Sequence, residues 1–516
     1  MLKRASVSAV LIGVCAYLFA SSREVEETYY PPIIGKKNTL LFLTNDHVGC
    51  HNVHLSTVYS LLAKHPEIEV HYASFPKVEK RLKHISSLAA QTNSKAKDVS
   101  FHPLPGTGYV DTLAELFDID KELEIGSHGP GLNTLSKSIG SYIAPWAAED
   151  YFNLYDTCAR LIDEIDPAFV IIDTVFAPGI DATRDRNRSH ALITPNLLTD
   201  YLPAEQPKWT LFWKYPAVGS GHPYPVPWSL IPLNIYCNYK MISGVLYDKK
   251  IAAKREILRA MGIKKPIDFL NLYKPDVPFL TQTLPGAHLP MIVMPRNVTL
   301  TGPINLAGLE EKTPAAKELL EWAKKPTLMI CLGSVFPYQP YQAGMMLEAL
   351  QNVLKNTDVQ VLWKMSHLDL FEDHAVENAI RDSNGRLKIE KWLDVEPPTL
   401  LMEGNISAFV HHGGAGSYHD ALAGGVPHII LPQWADLYDF AALVENLEIG
   451  IWGCRETSPD WTVECLQEAM LLVLKDSPAS STMAKNAAAF GEQAGKQKGR
   501  DVAAKEVARL AALGHA

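Results

Sequence analysis

Apolar residues recur along this chain in two rhythms. Short continuous runs alternate with stretches in which every third or fourth position is apolar. The run at 39–44, Thr-Leu-Leu-Phe-Leu-Thr, reads as a strand covered on both faces, as in a parallel sheet. Residues 54–64 follow with Leu55, Val58, Leu61 and Leu62 at helical spacing, and Pro66 closes that helix. A second strand is expected at 69–73, and others at 169–172 and 191–194. Between about 200 and 290 the alternation fades into Pro and aromatic residues, among them Trp209, Trp213, Tyr215, Pro223, Pro225, Pro227 and Trp228. It restarts with strands at 327–332, 359–363, 406–410 and 427–432, and ends in an Ala-rich helical stretch at 483–513.

Strand–helix alternation of this kind predicts an α/β protein with two doubly wound halves. Pro295, Gly302 and Pro303 mark a linker near 294–312. The expected organisation is an N-terminal Rossmann-like domain over 36–295, a C-terminal one over 313–480 and a helical segment over 481–516. Ligands in such sheets sit beyond the carboxyl ends of the strands, so the cleft between the halves is the expected site. The 200–290 insertion either shapes part of it or is a surface excursion packed on its own aromatic residues.

Ahead of the first strand, Lys3 and Arg4 precede an apolar stretch over 5–20. That shape fits a secretory signal or a membrane anchor over residues 1–22. Such a stretch spans about 24 Å as a helix, short of a ~30 Å hydrocarbon core. The expected location is the endoplasmic reticulum or another membrane, with the cytoplasm as the alternative.

Composition narrows the class. Hydrophobic residues make up 47% and charged residues 20% of 516, which excludes disorder as the main state. A net charge of −9 gives no basic face for nucleic acid. Seven cysteines without a CxxC pair signal neither structural zinc nor a disulfide framework.

The stretch from Phe409 to Asp420, Phe-Val-His-His-Gly-Gly-Ala-Gly-Ser-Tyr-His-Asp, carries the chemistry. A buried strand ends, glycines allow close backbone approach, and a helix begins near Ser417. A helix N-terminus offers free N–H groups and partial positive charge to phosphate. His412 and Ser417 add side-chain donors, and Asp420 supplies an acceptor for ribose hydroxyls. The composite is a pyrophosphate-plus-ribose site. It contains neither GxGxxG nor a P-loop lysine, and no metal-ligand spacing accompanies the paired histidines.

With Gly424-Gly425-Val426-Pro427 and Pro432-Gln433-Trp434-Ala435-Asp436, this run resembles the donor signature of family 1 UDP-glycosyltransferases. Tyr438-Asp439-Phe440-Ala441 looks most like fungal members. The resemblance implies a GT-B fold, two Rossmann-like domains facing across a cleft, and a UDP-sugar donor, UDP-glucose by default, with no metal. It assigns Trp392 to stacking on uracil, and His412, Gly414, Ser417 and Ser334 to the phosphates. It assigns Asp420 to the ribose and Asp436 to sugar hydroxyls. The chain departs from the pattern at Asp394-Val395, where Pro-Gln is usual, so Val395 takes a donor-contacting position. It departs again at Leu437, where Gln is usual.

The resemblance also implies a histidine general base in the first loop of the N-terminal half, oriented by an aspartate, and inverting displacement at the anomeric carbon. Counting from Leu61-Leu62 puts the base at His51 or one residue earlier, at Cys50. His51 is the choice, His54 the runner-up, and Asp173 after the 169–172 strand is the partner. Asp173 could equally cap a helix. The acceptor is expected to be a small lipophilic alcohol or phenol: a phenolic, polyketide, terpenoid or sterol hydroxyl. A non-catalytic UDP-sugar-binding helper of the same fold is the competing reading. The sequence leaves the oligomeric state open.

Overall fold

A computed structural model describes residues 30–116, 130–269, 271–333, 339–365 and 374–515. Residues 1–22 and Ser334 lie outside that set. In the N-terminal half, β1 (Lys36–Leu43) leads through α1 (Val48–Lys64) to β2 (Glu69–Ser74), and through α2 (Pro76–Thr92) to β3 (Ser100–Pro103). Helices α3 (Tyr109–Leu116), α4 (Pro130–Ile143) and α5 (Ala148–Ile165) precede β4 (Pro167–Asp173), α6 (Ala177–Asp185) and β5 (His190–Thr194). The short α7 (Thr210–Trp213), then α8 (Ile231–Tyr247) and α9 (Lys249–Ala260), come before β6 (Phe279–Thr281) and β7 (Val298–Leu300).

The C-terminal half runs α10 (Pro314–Trp322), β8 (Thr327–Cys331), α11 (Pro340–Asn356), β9 (Gln360–Lys364), α12 (His374–Asp382) and β10 (Leu387–Glu390). It continues with α13 (Pro397–Glu403), β11 (Ile406–His411), α14 (Ala415–Gly424), β12 (His428–Ile430), α15 (Leu437–Asn446) and β13 (Gly450–Trp452). It closes with α16 (Val463–Leu474), α17 (Pro478–Gly495) and α18 (Gly499–Ala511).

Both sheets are parallel, in the orders β3-β2-β1-β4-β5-β6-β7 and β10-β9-β8-β11-β12-β13. Strand order reverses between β1 and β4 and between β8 and β11, which are therefore the switch points where ligands bind. The unbroken apolar runs have a direct cause. Leu41 and Leu43 of β1 pack into one cluster with Ile162 of α5, while Leu40 and Phe42 pack into the opposite cluster with Val58 of α1. Successive strand residues point to opposite faces, so a sheet covered on both sides needs apolar residues at every position.

The last helix does not stay with its own half. Ala503, Val507 and Leu510 of α18 join the cluster beneath β1, so the chain crosses back to cover the N-terminal sheet. Between the halves, Leu197, Leu284 and Ala287 pack with Tyr418, Tyr438 and Phe440. Asp439 accepts hydrogen bonds from the N–H of Gly219 at 2.7 Å and of Gly221 at 3.1 Å. Both glycines have positive φ, 76° and 58°, a backbone state that favours glycine.

The 200–290 region holds more helix than its sequence pattern suggested. Helix α8 buries Asn234 and Asn238 beside Ile235 and Ile242, so its inner face is not purely apolar. Asn234 donates to the carbonyls of Phe212 and Tyr215 and accepts from the Ala217 N–H. Polar residues doing structural work on the inner face erase the 3.6-residue rhythm. The cysteine count likewise gave no sign that Cys454 and Cys465 would be joined in a disulfide, which they are.

Replacing Leu510 by Ala should cost about 2–5 kcal/mol. Hydrogen exchange is expected to quicken in β1 and α1 while β8 and β11 keep their protection.

Candidate active site

The N-terminal rim is the loop between β1 and α1. Asn45 Oδ1 accepts from the His47 N–H at 2.7 Å, and Asp46 Oδ1 accepts from the Tyr109 N–H at 2.7 Å. The first bond shapes the turn and the second caps α3. His47 then stands at the N-cap of α1. Positions 47, 50, 51 and 54 fall on one helical stripe, but each side chain meets different neighbours.

His51 is 3% exposed, and its Nε2 lies 2.9 Å from a guanidinium nitrogen of Arg81. Arg81 also donates to Asn52 at 2.8 Å and reaches Glu396 of the C-terminal half at 3.7 Å. An Arg donor on Nε2 keeps that nitrogen unprotonated and puts the proton on Nδ1. Burial first, then Arg81, holds His51 well below the usual imidazole range. His54 is fully buried edge-on to Phe42, with centroids 6.2 Å apart, and burial lowers it to about 3.

Cys50 is the residue of this stripe that faces the carboxylates. Burial raises its thiol, and Asp173 and Asp436 raise it further, so it stays protonated between the two halves. No hydrogen bond joins His51 to Asp173 among the described residues. Adjacent helical positions diverge by about 100°, so Cys50 and His51 look in different directions. Asp173 is fully buried; its Oδ1 accepts from the Val175 N–H at 3.0 Å and its Oδ2 has no partner. Burial lifts it to about 7.

His47 is only half-buried. Its Nδ1 is sealed and unpartnered. Tyr109 holds the ring edge-on, with centroids 6.2 Å apart, and burial lowers the imidazole to about 4. Across the cleft it is within electrostatic reach of His412, which burial also lowers to about 4.

The C-terminal rim separates two adjacent histidines by strand geometry. His411 Nδ1 accepts from the Gly413 N–H at 3.1 Å, so its Nε2 carries the proton and donates to His428 Nδ1 at 3.0 Å. His411 is thereby a structural residue, while His412 turns toward the cleft, packed against Gly333 and Gly414. Gly413 has φ of 91°, and a Cβ there would sit 2.9 Å from the Leu437 carbonyl. Gly414 is the N-cap of α14 and has no side chain to cap with. The N–H groups of Ala415, Gly416 and Ser417 therefore open into the cleft as an anion site.

The remaining expected donor residues take distinct positions. Trp392 is 68% exposed, with the Lys364 ammonium 4.1 Å above its ring. Val395 is 1% exposed within an apolar cluster with Leu393 and Leu400, so only its backbone could meet a ligand. Asp420 is lifted to about 8 by burial and then by Glu396, against a hydrogen bond from Asn305. Asp436 stands at the N-cap position of α15 without a side-chain capping bond, and burial lifts it to about 6. Leu437 packs with Leu135 and Tyr142 of the N-terminal half. Asp200, not singled out in the sequence, has both oxygens buried and unpartnered, and faces Asp436 and Asp439.

Three tryptophans of the 200–290 insertion do not line the cleft. Trp209, Trp213 and Trp228 stand on the outer surface. Pro216, Val218 and Tyr224 of the same region do line a narrow crevice of about 20 Å³, together with Leu289 and Leu443. No cluster among the described residues could hold a metal ion.

This geometry has counterparts in known proteins. A family model for the erythromycin biosynthesis protein CIII-like C-terminal domain matches residues 391–508. The glycosyltransferase sdnJ of Sordaria araneosa is 34% identical over 448 residues, 83% of this chain and 86% of that protein. A sterol 3-beta-glucosyltransferase of Debaryomyces hansenii is 26% identical over 224 residues, 42% of this chain but 14% of that protein. A UDP-glucosyltransferase from Polygonum tinctorium that glucosylates indoxyl superposes with a TM-score of 0.59 at 16% identity, covering 94% of this chain and 99% of its own. The calicheamicin glycosyltransferase CalG4 superposes at 0.58 and 14% identity, covering 92% and 98%. These likenesses define the class as a glycosyltransferase of GT-B architecture. The chain belongs to the family 1 UDP-glycosyltransferases.

Asp420 generates a pH test. A carboxyl raised to about 8 is protonated at neutral pH, and accepting from two ribose hydroxyls favours its ionised form. UDP-glucose affinity, measured by calorimetry, should climb between pH 6.5 and 8, by up to about ten-fold per unit. Asp420→Asn should flatten that slope.

Proposed function

We propose that this enzyme transfers a hexose, glucose by default, from a UDP-sugar to a hydroxyl of a small lipophilic acceptor with inversion. The observation that carries the reading is a neutral histidine opposite an anion-binding helix N-terminus. His47, partly buried at the start of α1, lies within electrostatic reach of His412, beside the uncapped N-terminus of α14. In-line displacement needs the base and the leaving phosphate on opposite sides of the anomeric carbon. The acceptor oxygen bonds to that carbon, its proton passes to the histidine, and the bond to the phosphate oxygen breaks, releasing UDP.

Among the histidines after β1, this geometry favours His47 as the base. His51 has Nε2 committed to Arg81, and His54 is buried beneath the rim. Asp173 lies within electrostatic reach of Cys50, three residues after His47 on α1. His51 and Arg81 instead link the N-terminal rim to Glu396 beside Asp420. The apolar lining given by Pro216, Val218 and Tyr224 to a narrow crevice between the halves is in keeping with a lipophilic acceptor, whether phenolic, polyketide, terpenoid or sterol. Residues 1–22 are proposed to associate the enzyme with a membrane; no helix among the described residues is long and apolar enough to cross one.

UDP release on mixing the full chain with UDP-sugars and a panel of lipophilic alcohols and phenols tests the transfer. Acceptor-dependent release with an inverted glycoside is expected, and binding of UDP without release from any acceptor would instead fit a helper protein. His47→Ala should lower kcat by about 10²–10⁴-fold with UDP affinity kept within a factor of about two. His51→Ala should mainly weaken donor binding. Full turnover in His47→Ala would return the base assignment to His51.

A further inference from the structure

Eight large apolar side chains stand exposed on one flank of the N-terminal half. Trp209, Trp213 and Trp228 are 58%, 42% and 88% exposed, and Ile292, Val293 and Met294 lie open beside them. Leu233 and Tyr236 of α8 complete the set. Internal contacts tie these segments together. Phe212 of α7, which precedes Trp213, packs against Ile235 of α8, the helix that carries Leu233 and Tyr236. The Gln206 side chain bonds Val293 in both directions, at 3.0 Å each, immediately before Pro207-Lys208-Trp209. A group of large exposed apolar side chains marks an interaction or membrane surface more often than singly scattered ones do.

Two further features say what covers it. Residues 205–240 and 291–296 carry Lys208, Lys214, Lys240 and Arg296 against Glu205 alone, a local charge of 4 − 1 = +3 in a chain of −9. Exposed tryptophan bordered by lysine is the composition of a surface that lies in lipid headgroups. The backbone is also strained there: Lys208 and Trp209 both hold positive φ, at 59° and 58°. Two consecutive non-glycine residues in the left-handed region are costly, and the turn they make holds Trp209 outward.

We propose that this flank rests on an anionic phospholipid bilayer, with the three tryptophans among the headgroups and the basic side chains against the phosphates. The contact is continuous with the acceptor crevice. Tyr215 and Tyr224 both donate to the Pro290 carbonyl, at 3.0 and 3.1 Å, which fastens the exposed 292–294 strip to the crevice wall. A lipophilic acceptor dissolved in the bilayer then reaches the crevice without crossing water, a consequence that rests on the transfer reading above. The contact itself does not depend on it.

The test uses the full chain with vesicles of phosphatidylcholine alone or mixed with phosphatidylserine, part of the lipid being brominated to quench tryptophan emission on contact. Quenching is expected on phosphatidylserine vesicles, weakening as salt rises. The triple variant Trp209→Phe, Trp213→Phe, Trp228→Phe should lose that quenching while still binding vesicles. The triple Ser variant should bind about ten-fold or more weakly. Wild-type protein that shows no quenching would overturn the proposal. So would quenching that persists in the Phe variant, because the contact then lies elsewhere, residues 1–22 included. A concentration-dependent dimer abolished by the Ser variant would assign the surface to a second copy of the chain instead. Vesicle binding is read without any sugar transfer, so its failure and that of the transfer reading are separately visible.

Discussion

Two carboxyl edges of parallel sheet must be held facing each other for any of this chemistry to exist. The bond network around Asp439 does much of the holding. Its carboxylate, on α15 of the C-terminal half, receives two backbone N–H groups from the Gly219–Gly221 turn of the N-terminal half. The return of α18 beneath β1 adds a second tie, made of apolar packing rather than hydrogen bonds. The cleft between these ties is dry and rich in carboxylates. Asp173 and Asp200 come from one half and Asp436 from the other, and burial keeps all three well above the ordinary carboxylate range. In so dry a cleft, a charge that develops during reaction is felt more strongly than it would be in water.

Histidine is the residue type on which the site turns, and identical side chains do unlike jobs according to backbone direction. His411 and His412 are neighbours on a strand end, so one points inward and the other toward the cleft. The inward one is consumed in a chain from the Gly413 N–H to His428. On α1 the same sorting follows helical geometry: His54 is sealed, His51 is taken by Arg81, and His47 alone of the three is not fully buried. Arg81 thereby links the start of α1 to Glu396 and, through it, to the neighbourhood of Asp420. Acceptor-side and donor-side residues are in this way mechanically joined without sharing a substrate contact.

The outer flank and the crevice divide one sequence region between them. Its tryptophans face out, while Pro216, Val218 and Tyr224 face the crevice. Leu437 shows a similar reassignment. A position that the resemblance links to sugar recognition is instead apolar packing between the halves, with Leu135 and Tyr142.

The parallel sheets were legible in the sequence, because a strand covered on both faces must be mostly apolar, and 39–44, 169–172 and 406–410 are, apart from Thr39, Thr44 and Ser407. The sequence by itself also determined the donor turn, because glycines between a strand and a helix leave N–H groups that only an anion satisfies well. Short edge strands such as β3 and β10 were not legible, since strands covered on one side carry mixed residues. Helix α8 was not legible either, its inner face bearing structural asparagines. Which histidine opens to the cleft, which carboxylate meets Cys50, and where the tryptophans point were decided only by tertiary structure. Those are questions of side-chain direction and of contacts between segments up to hundreds of residues apart, and local spacing encodes neither.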